Sequence, residues 1–487
     1  MLTDEILEKY DITVGIECHV QLCTTTKLFS GADNDARDQS PNSVVSPIDF
    51  GLPGMLPVLN RQAVTLAIKA GKALGSEIAH VSRFDRKHYF YPDLPKGYQT
   101  TQMYHPIIGA GLVNVPREDG SSFDVRIHHA HMEEDAGKLT HYGDHSLVDL
   151  NRAGTPLIEI VSEPDIHSPV DAKAYAVELH RLMTYADVTY GNLYHGNMRF
   201  DVNVSVAPKG ATELGLRAEV KNLNSFRSVE RAADFEFRRQ VERLEKGELI
   251  VQETRGWIEA SQKTISQRSK EDAQDYRYMP DADIPPIVLT TEEIDAIQAT
   301  VPRLPSFYRQ AWSGLGIDST VVNALLSAKP QSELVQDVLE KGGVSAARRT
   351  ALWILMVLPS DDETEGDEPA TDLAVSAENF IELAGMVDGN ELSSTAAKEI
   401  FFEMLRSGGS PRAIAEAKNL IQVSDEGAIV AFVDEVLADP SSAKAIEDIK
   451  SGNDKVIGFL VGQVMKKSHG KANPELAQRL IRQRIAS

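Results

Sequence analysis

Cysteine is nearly absent from this chain: Cys18 and Cys23 are the only two in 487 residues. Two thiols build neither a disulfide framework nor, without further thiols, a zinc cage. Long hydrophobic runs are missing too. The longest, Ala351 to Leu358, is about half of the roughly 18 residues that a membrane span needs. The opening residues Met-Leu-Thr-Asp-Glu-Ile-Leu-Glu-Lys are acidic, with neither a basic-then-apolar signal sequence nor an Arg-rich transit peptide, so a cytoplasmic protein without membrane contact is expected. Positive charge is scarce. A formal net charge of −22 argues against general nucleic-acid affinity, because phosphate contacts use Lys and Arg to release counterions. The common nucleotide and hydrolase signatures also fail. Gly109 to Asn114 misses the dinucleotide fingerprint, and Gly210 to Arg217 has P-loop glycine spacing but puts Leu216 and Arg217 where Lys and Ser or Thr are required. No Gly-x-Ser-x-Gly elbow occurs.

What is present divides along the chain. The length implies two to four domains. Strand and helix signals mix up to about residue 295; beyond it Ala, Leu and Glu dominate and the pattern reads as helical bundles, with a second break near Gly408-Gly409-Ser410-Pro411. Charge is graded as well. Ser451 to Ser487 carries seven Lys or Arg against two acids, so a basic end on an acidic body can bind RNA locally. The acidic insert at 361–368 reads as a solvated, disordered loop.

The most informative stretch runs from Arg126 to Asp165. Glu159 sits inside Leu157-Ile158-Glu159-Ile160-Val161, a β-branched run between Pro156 and Pro164 that reads as a buried strand. A lone ionised carboxylate there is costly, so Glu159 asks for a cation: a metal, or a salt bridge with Arg152 or Lys138. Asp11 to Leu22 alternates, with Ile12, Val14, Ile16, Cys18, Val20 and Leu22 on one face; Glu17 and His19, on the other, point the same way. Met198 to Val206 alternates too and displays Asp201 beside Arg199 and Asn203, while Leu216 to Lys221 groups Arg217, Glu219 and Lys221. Strands are expected at Asp124 to Met132 and around Glu159, and helices at Asn60 to Leu74, Pro169 to Ala186 and Ser228 to Glu245. Glu253 to Trp257 and Ser266 to Pro280 show no clean period.

Arg83 to Gln102 reads as a loop in which Tyr89, Tyr91 or Tyr98 can stack a base and Lys96 can meet a phosphate, or whose aromatics merely cover a core edge. His128, His129, His131, His141 and His145 lack the order of a zinc protease and read as strand faces and loop. Acids on strands (Glu17, Glu133, Glu159, Asp201) with His19, and cations at Lys96, Arg152 and Lys221, suit Mg²⁺ or Mn²⁺ better than Zn²⁺. That set fits a metal-dependent phosphotransferase, and a metallohydrolase would use the same residues.

Several long motifs then agree with one family. Val-Gly-Ile-Glu-Cys-His-Val-Gln-Leu (14–22), Tyr-Pro-Asp-Leu-Pro-Lys-Gly-Tyr-Gln (91–99), His-Met-Glu-Glu-Asp-Ala-Gly-Lys (131–138), Asn-Arg-Ala-Gly-Thr-Pro-Leu-Ile-Glu-Ile-Val-Ser-Glu-Pro-Asp (151–165), Met-Arg-Phe-Asp-Val-Asn-Val-Ser (198–205), Glu-Val-Lys-Asn-Leu-Asn-Ser-Phe (219–226) and the tail Phe-Leu-Val-Gly-Gln-Val-Met-Lys-Lys closely resemble the B subunit of the bacterial tRNA-dependent amidotransferases. The resemblance implies an α+β fold: an N-terminal antiparallel β-sheet cradle domain (1–295), then two small all-helical domains, at 296–409 and at 410–487, the last a tRNA-binding tail. It implies a glutamine-dependent carbon–nitrogen ligase that acts on misacylated Glu-tRNA(Gln), Asp-tRNA(Asn) or both. Within it this chain is the kinase part, using ATP and Mg²⁺ (or Mn²⁺) to activate the side-chain carboxylate as an acyl phosphate. The implied partners are an amidase subunit, which supplies ammonia and whose Ser-Ser-Lys signature is missing here, a small third subunit and the misacylated tRNA. The catalytic and metal-binding residues carried over are Glu17, His19, Glu133 (closer in register than Glu134), Glu159 and Asp201; Lys96, Tyr98, Arg152 and Lys221 are the nucleotide or phosphate contacts. Some relatives hold a four-cysteine zinc site, but Gly31, Asp33, Ser46 and Asp49 stand at the corresponding positions, so no structural zinc is expected and that loop must be held another way. The competing class is a non-catalytic tRNA-binding scaffold whose acids only stabilise the sheet.

Overall fold

The alternation read from Ile12 to Leu22 is a 12-residue strand, β1 (Tyr10–Gln21), at the centre of an eight-stranded sheet. The structure is a computed structural model describing residues 3–269, 275–358, 375–422, 426–451, 453–468 and 472–486. The acidic insert at 361–368, part of the aperiodic stretch before Pro280 and residues 469–471 of the basic end lie outside the described residues. The chain forms two compact units, one reaching Tyr308 and the other starting at Arg309.

In the first unit the other strands of the main sheet are β2 (Gly111–Pro116), β3 (Ser122–Glu134), β4 (Pro156–Ser162), β5 (Met198–Pro208), β6 (Ala218–Leu223), β7 (Glu253–Ile258) and β8 (Lys263–Ser269). Their order across the sheet is β8-β7-β6-β5-β1-β4-β3-β2. Neighbours are antiparallel except β6 and β7, which run parallel. A parallel pair needs a crossover, and the helix Phe226–Glu245 lies between the two in sequence. Strands β7 and β8 fall where the sequence showed no clean period; a register shift between Thr254 and Arg255 interrupts the alternation that would have announced them. The Arg83–Gln102 loop likewise contains two short strands, Asp85–His88 and Tyr98–Thr101, with Met279–Pro280 added on one edge.

Three long helices pack in the unit, besides short ones that include Asp4–Leu7 and Thr291–Gln298. The first, α1 (Arg61–Ala73), is capped by Asn60, whose side chain accepts from Gln62 N, and stops before Gly75 at φ +62°. The second, α2 (Pro169–Tyr185), opens on Ser168, which accepts from Asp171 N. The third, α3 (Phe226–Glu245), begins two residues before the expected Ser228, because Ser225 caps it by accepting from Ser228 N. Ile12, Val14, Ile16, Cys18 and Val20 of β1 are buried in one core with Tyr175, Leu179 and Met183 of α2 and Val229, Ala233 and Val241 of α3. The apolar face of the sheet is therefore closed. Glu17 and His19, on the other face, are only half-buried.

The loop that carries the four zinc-site positions is held by charge. Lys27 is fully buried, and its Nζ lies 3.1 Å from Asp49 Oδ2. Ser46 donates to the same oxygen from its backbone N (2.8 Å) and its hydroxyl (3.0 Å). Gly154, at φ +82°, closes the pocket; a Cβ there would stand 2.7 Å from Asp49 Oδ1.

The described part of the second unit is built of helices. Trp312 is buried and donates from Nε1 to Gln336 Oε1 at 3.0 Å, on a long helix, Lys329–Leu355, that breaks at Gly343 (φ 79°). Ala377–Asp388 packs on that helix, and Trp353 stacks on Phe401. Toward the end, Ile429, Val433, Leu460, Val464, Leu480 and Ile481 form a small core of their own. No helix among the described residues is long and apolar enough to cross a membrane.

Candidate active site

Register across three strands builds the site. His19 on β1 pairs with Glu159 on β4, and Glu159 pairs with His131 on β3, so these side chains share a face in adjacent rows. Glu133 follows two residues after His131 on the same face. Glu159 Oε2 lies 3.2 Å from His131 Nε2 and 3.7 Å from His19 Nε2, and Glu133 Oε1 lies 3.5 Å from His19 Nε2. The expected salt bridge to Arg152 or Lys138 is not what answers Glu159; imidazoles are. Arg152 instead lies 3.2 Å from Asp135 and donates to the carbonyls of Ala136 and Gly137, while Lys138 is exposed on an outer hairpin.

A second cluster lies beside the first. Glu17 on β1 pairs with Asp201 on β5. Opposite Asp201 the strand β6 bulges: Phe200 pairs with Leu223 and Val202 with Val220, leaving Lys221 and Asn222 against one residue. Asn222 takes a left-handed φ of 62° there, and its N donates to Asp201 Oδ1 at 2.8 Å. Lys221 Nζ meets Asp201 Oδ2 at 2.8 Å and Glu219 Oε1 at 2.6 Å. Glu17 accepts from Asn203 Nδ2 at 3.0 Å. A cavity of about 320 Å³ opens beside Glu17 and Asn203, with Gly15, Ser205, Gly215 and Arg217 also on its wall.

The electrostatics of the two clusters differ. Burial opposes a charge on His131, but hydrogen bonds to Glu133 and Glu159 outweigh it and hold its pKa up to about 10. Burial likewise works against ionised Glu159, yet the His131 hydrogen bond and the His19 charge keep it below the usual carboxylate range. Lys87 is held charged, against burial, by Glu133, Tyr278 and Glu159. Glu17 goes the other way. Burial first, then the charges of Glu159 and Glu219, push its carboxyl up, and Lys221 offsets this only in part. Burial also opposes a charge on Lys221, which Asp201 and Glu219 overcome.

Each cluster brings three ligand atoms within 4.8 Å of one another: His19, Glu133 and Glu159 in one, Glu17, Asp201 and Glu219 in the other. The five residues carried over as metal-binding acids and histidine thus fall into two sets and not one. Lys221 joins the second set. Lys96 is paired with Glu134, and Tyr98 lies under Arg86 (4.5 Å) and Lys96 (5.1 Å). The sequence reading missed Glu219 and His131 as members of the site. Glu219 shared a face with Lys221 in the pattern, but nothing in its own strand showed that Glu17 lies nearby.

Residues 12–295 match the family model described as GatB/GatE catalytic domain, and residues 333–485 match the one described as GatB domain. The chain belongs to the GatB family. Among the family's curated members, the B subunit of the aspartyl/glutamyl-tRNA(Asn/Gln) amidotransferase of Trichodesmium erythraeum (strain IMS101) is 43% identical, covering 99% of both chains. The protein of that name from Alkalilimnicola ehrlichii is 44% identical over 98% of this chain and 100% of its own. The B subunit of the chloroplastic/mitochondrial glutamyl-tRNA(Gln) amidotransferase of Physcomitrium patens is 42% identical over 98% of this chain and 86% of its own. Both acid clusters lie inside the GatB/GatE catalytic-domain match.

Proposed function

We propose that this chain is the activating subunit of a tRNA-dependent amidotransferase. It transfers a phosphoryl group from ATP to the side-chain carboxylate of a glutamate or aspartate misattached to tRNA(Gln) or tRNA(Asn), and ammonia from an amidase subunit then displaces the phosphate. The chemical need is clear: a carboxylate is a poor electrophile, and phosphorylation gives it a leaving group.

The observation that carries this reading is the pair of acid clusters side by side on one sheet face, one of them short of positive charge. Glu17, Asp201 and Glu219 are three carboxylates around one lysine, and burial first, then the charges of Glu159 and Glu219, raise the Glu17 carboxyl, which Lys221 offsets only in part. Hard oxygen donors in that state fit Mg²⁺ or Mn²⁺. When bound, such a cation supplies charge neutralisation for phosphate oxygens. This chain's residues do the rest. Asn222 N and Lys221 fix Asp201, Asn203 orients Glu17, and the cavity beside Glu17 gives a nucleotide room to lie against the sheet. His131, His19 and Lys87 keep Glu159 ionised against burial, and Glu133 lies beside it, so the first cluster is ready to accept a cation or the substrate's ammonium and hydroxyl groups. The basic side chains near the C-terminus supply the local RNA contact that the acidic body cannot.

The test is ATP-dependent amide formation on Glu-tRNA(Gln) and Asp-tRNA(Asn) with ammonium as nitrogen donor, in the complex with the amidase and small subunits. Ammonium bypasses the amidase. Glu159→Gln is expected to lose product while retaining tRNA binding; full activity in that variant would overturn the assignment.

A further inference from the structure

The histidines at 128, 129 and 131 form a row that the site chemistry above uses only at its inner end. Strand β3 carries one residue too many opposite β4: Ile127 pairs with Ser162 and His129 with Val161, so His128 is the inserted residue. Bulges of this kind re-aim side chains beside active sites. Here the bulge sets His129, His131 and Glu133 on one face and brings the His128 ring back toward His129. His128 Nδ1 lies 2.7 Å from His129 Nδ1, and His129 Nε2 lies 3.2 Å from His131 Nδ1. The His129 and His131 rings stack, with centroids 5.2 Å apart and planes 20° from parallel. Exposure falls along the row from His128, which is exposed, through His129 to His131, which is buried.

A histidine ring can sit in two orientations related by a half-turn about its Cβ–Cγ bond, which exchanges Nδ1 with Cδ2 and Nε2 with Cε1. Only one of them places Nδ1 against His129 while Nε2 meets Glu159 at 3.2 Å. A carboxylate only accepts, so Nε2 carries a hydrogen there. Whether His131 Nδ1 donates or accepts, His129 Nε2 can answer it, and it has a carbon to face if the ring turns over. An imidazole in an acid site is commonly fixed by what its far nitrogen touches.

We propose that His129 is a positioning residue for the acid cluster: it holds the His131 ring with Nε2 aimed at Glu159, and His128 braces it from the solvent side. The inference rests on the function proposed above, because it assigns His129 a share in carboxylate activation. A residue that only filled space would need neither the aligned nitrogens nor the inserted residue.

The test compares His129→Phe, which keeps a stacked ring without nitrogen, with His129→Gln, which keeps a polar group. In the complex, with ammonium as donor, His129→Phe is expected to lower kcat about five- to tenfold, the value of one net hydrogen bond, with the KM for tRNA unchanged. His129→Gln should regain at least half of the loss. In the full chain labelled with ¹⁵N-histidine, the hydrogen-bonded His131 nitrogens should be seen in wild type and averaged by ring turnover in His129→Phe. His129→Leu carries the same expectation if the Phe variant does not fold. Wild-type kcat with unaltered His131 signals, or equal losses in the Phe and Gln variants, would overturn the proposal. Glu159→Gln run alongside separates the failures. If that variant is inactive while His129→Phe is normal, His129 alone is wrongly assigned; if it is fully active, the activation reading fails and the His131 signals still decide whether His129 positions the ring.

Discussion

Glu236 and Glu17 are both acids packed into the first unit, and they are answered in opposite ways. Glu236, on α3, is fully buried and takes a two-pronged contact from Arg239 (2.9 and 2.6 Å), a third bond from Gln240 (2.9 Å) and the approach of Arg255 (3.5 Å). Arg255 is itself gripped by Glu253 and Thr264. Planar guanidinium groups match carboxylates bidentately and stay charged, so the Glu236 carboxylate is answered from within the fold. Glu17 has one amide donor and shares a single lysine with two other acids. A carboxylate answered by arginine serves the fold; one left short of charge, on the sheet face away from the helices, is arranged for something that arrives later.

The comparison can be broken most sharply at Glu236. Glu236→Gln leaves Arg239 and Arg255 facing a neutral group in a buried site, and should lower the unfolding free energy by about 3–5 kcal/mol, read from urea denaturation. Amide formation per folded molecule should not change. Glu17→Gln should do the reverse. Product is expected to fall at least about 100-fold, the scale of losing one transition-state charge contact, while the melting temperature holds or rises because a crowded carboxylate has gone. Mg²⁺ should stabilise wild type against heat and stabilise Glu17→Gln less, because the variant keeps only the His19, Glu133 and Glu159 cluster whole. A melting temperature that drops in Glu17→Gln with activity intact would exchange the roles of the two networks.

The smallest effect concerns two buried histidines. His131, facing two carboxylates, is held up to about 10; His180, which meets the Gly191 carbonyl and the Phe226 ring, is pushed down to about 4 by burial and, to a lesser extent, by the Arg181 charge. For His180 the folded pKa lies below the unfolded value of about 6.5, so the unfolded chain takes up a proton that the fold refuses. Stability should therefore fall by about 2–3 kcal/mol between about pH 6.5 and 4, and His180→Gln should flatten that slope. His131 is protonated in both states below about pH 6.5; its stabilisation is lost only as pH rises toward about 10.

What the sequence showed depended on how local each signal was. The alternation of β1 and β5, the Asn60 and Ser168 caps and the demand of Glu159 for a cation are carried by neighbouring residues, and the structure keeps them. The answer to that demand was not local. His131 reaches Glu159 only through the pairing of β3 with β4, and nothing in the run of histidines states that register. Lys96 looked free because Glu134, its partner, is distant in sequence. The two site bulges, at His128 and at Lys221-Asn222, were invisible for the same reason: a bulge exists only relative to the strand opposite.

The Lys27–Asp49 pair has a consequence for how this chain can change over time. Both partners are written in the chain itself, with Ser46 and Gly154 shaped around them. Losing either alone strands a buried charge at about 3–5 kcal/mol, a large share of the margin by which a domain stays folded. A lineage can leave this arrangement only by altering both positions nearly together, for instance toward two apolar side chains of matching volume. Codons 27 and 49 should thus be inherited as a unit, and a homologue that has lost one of them should have lost the other.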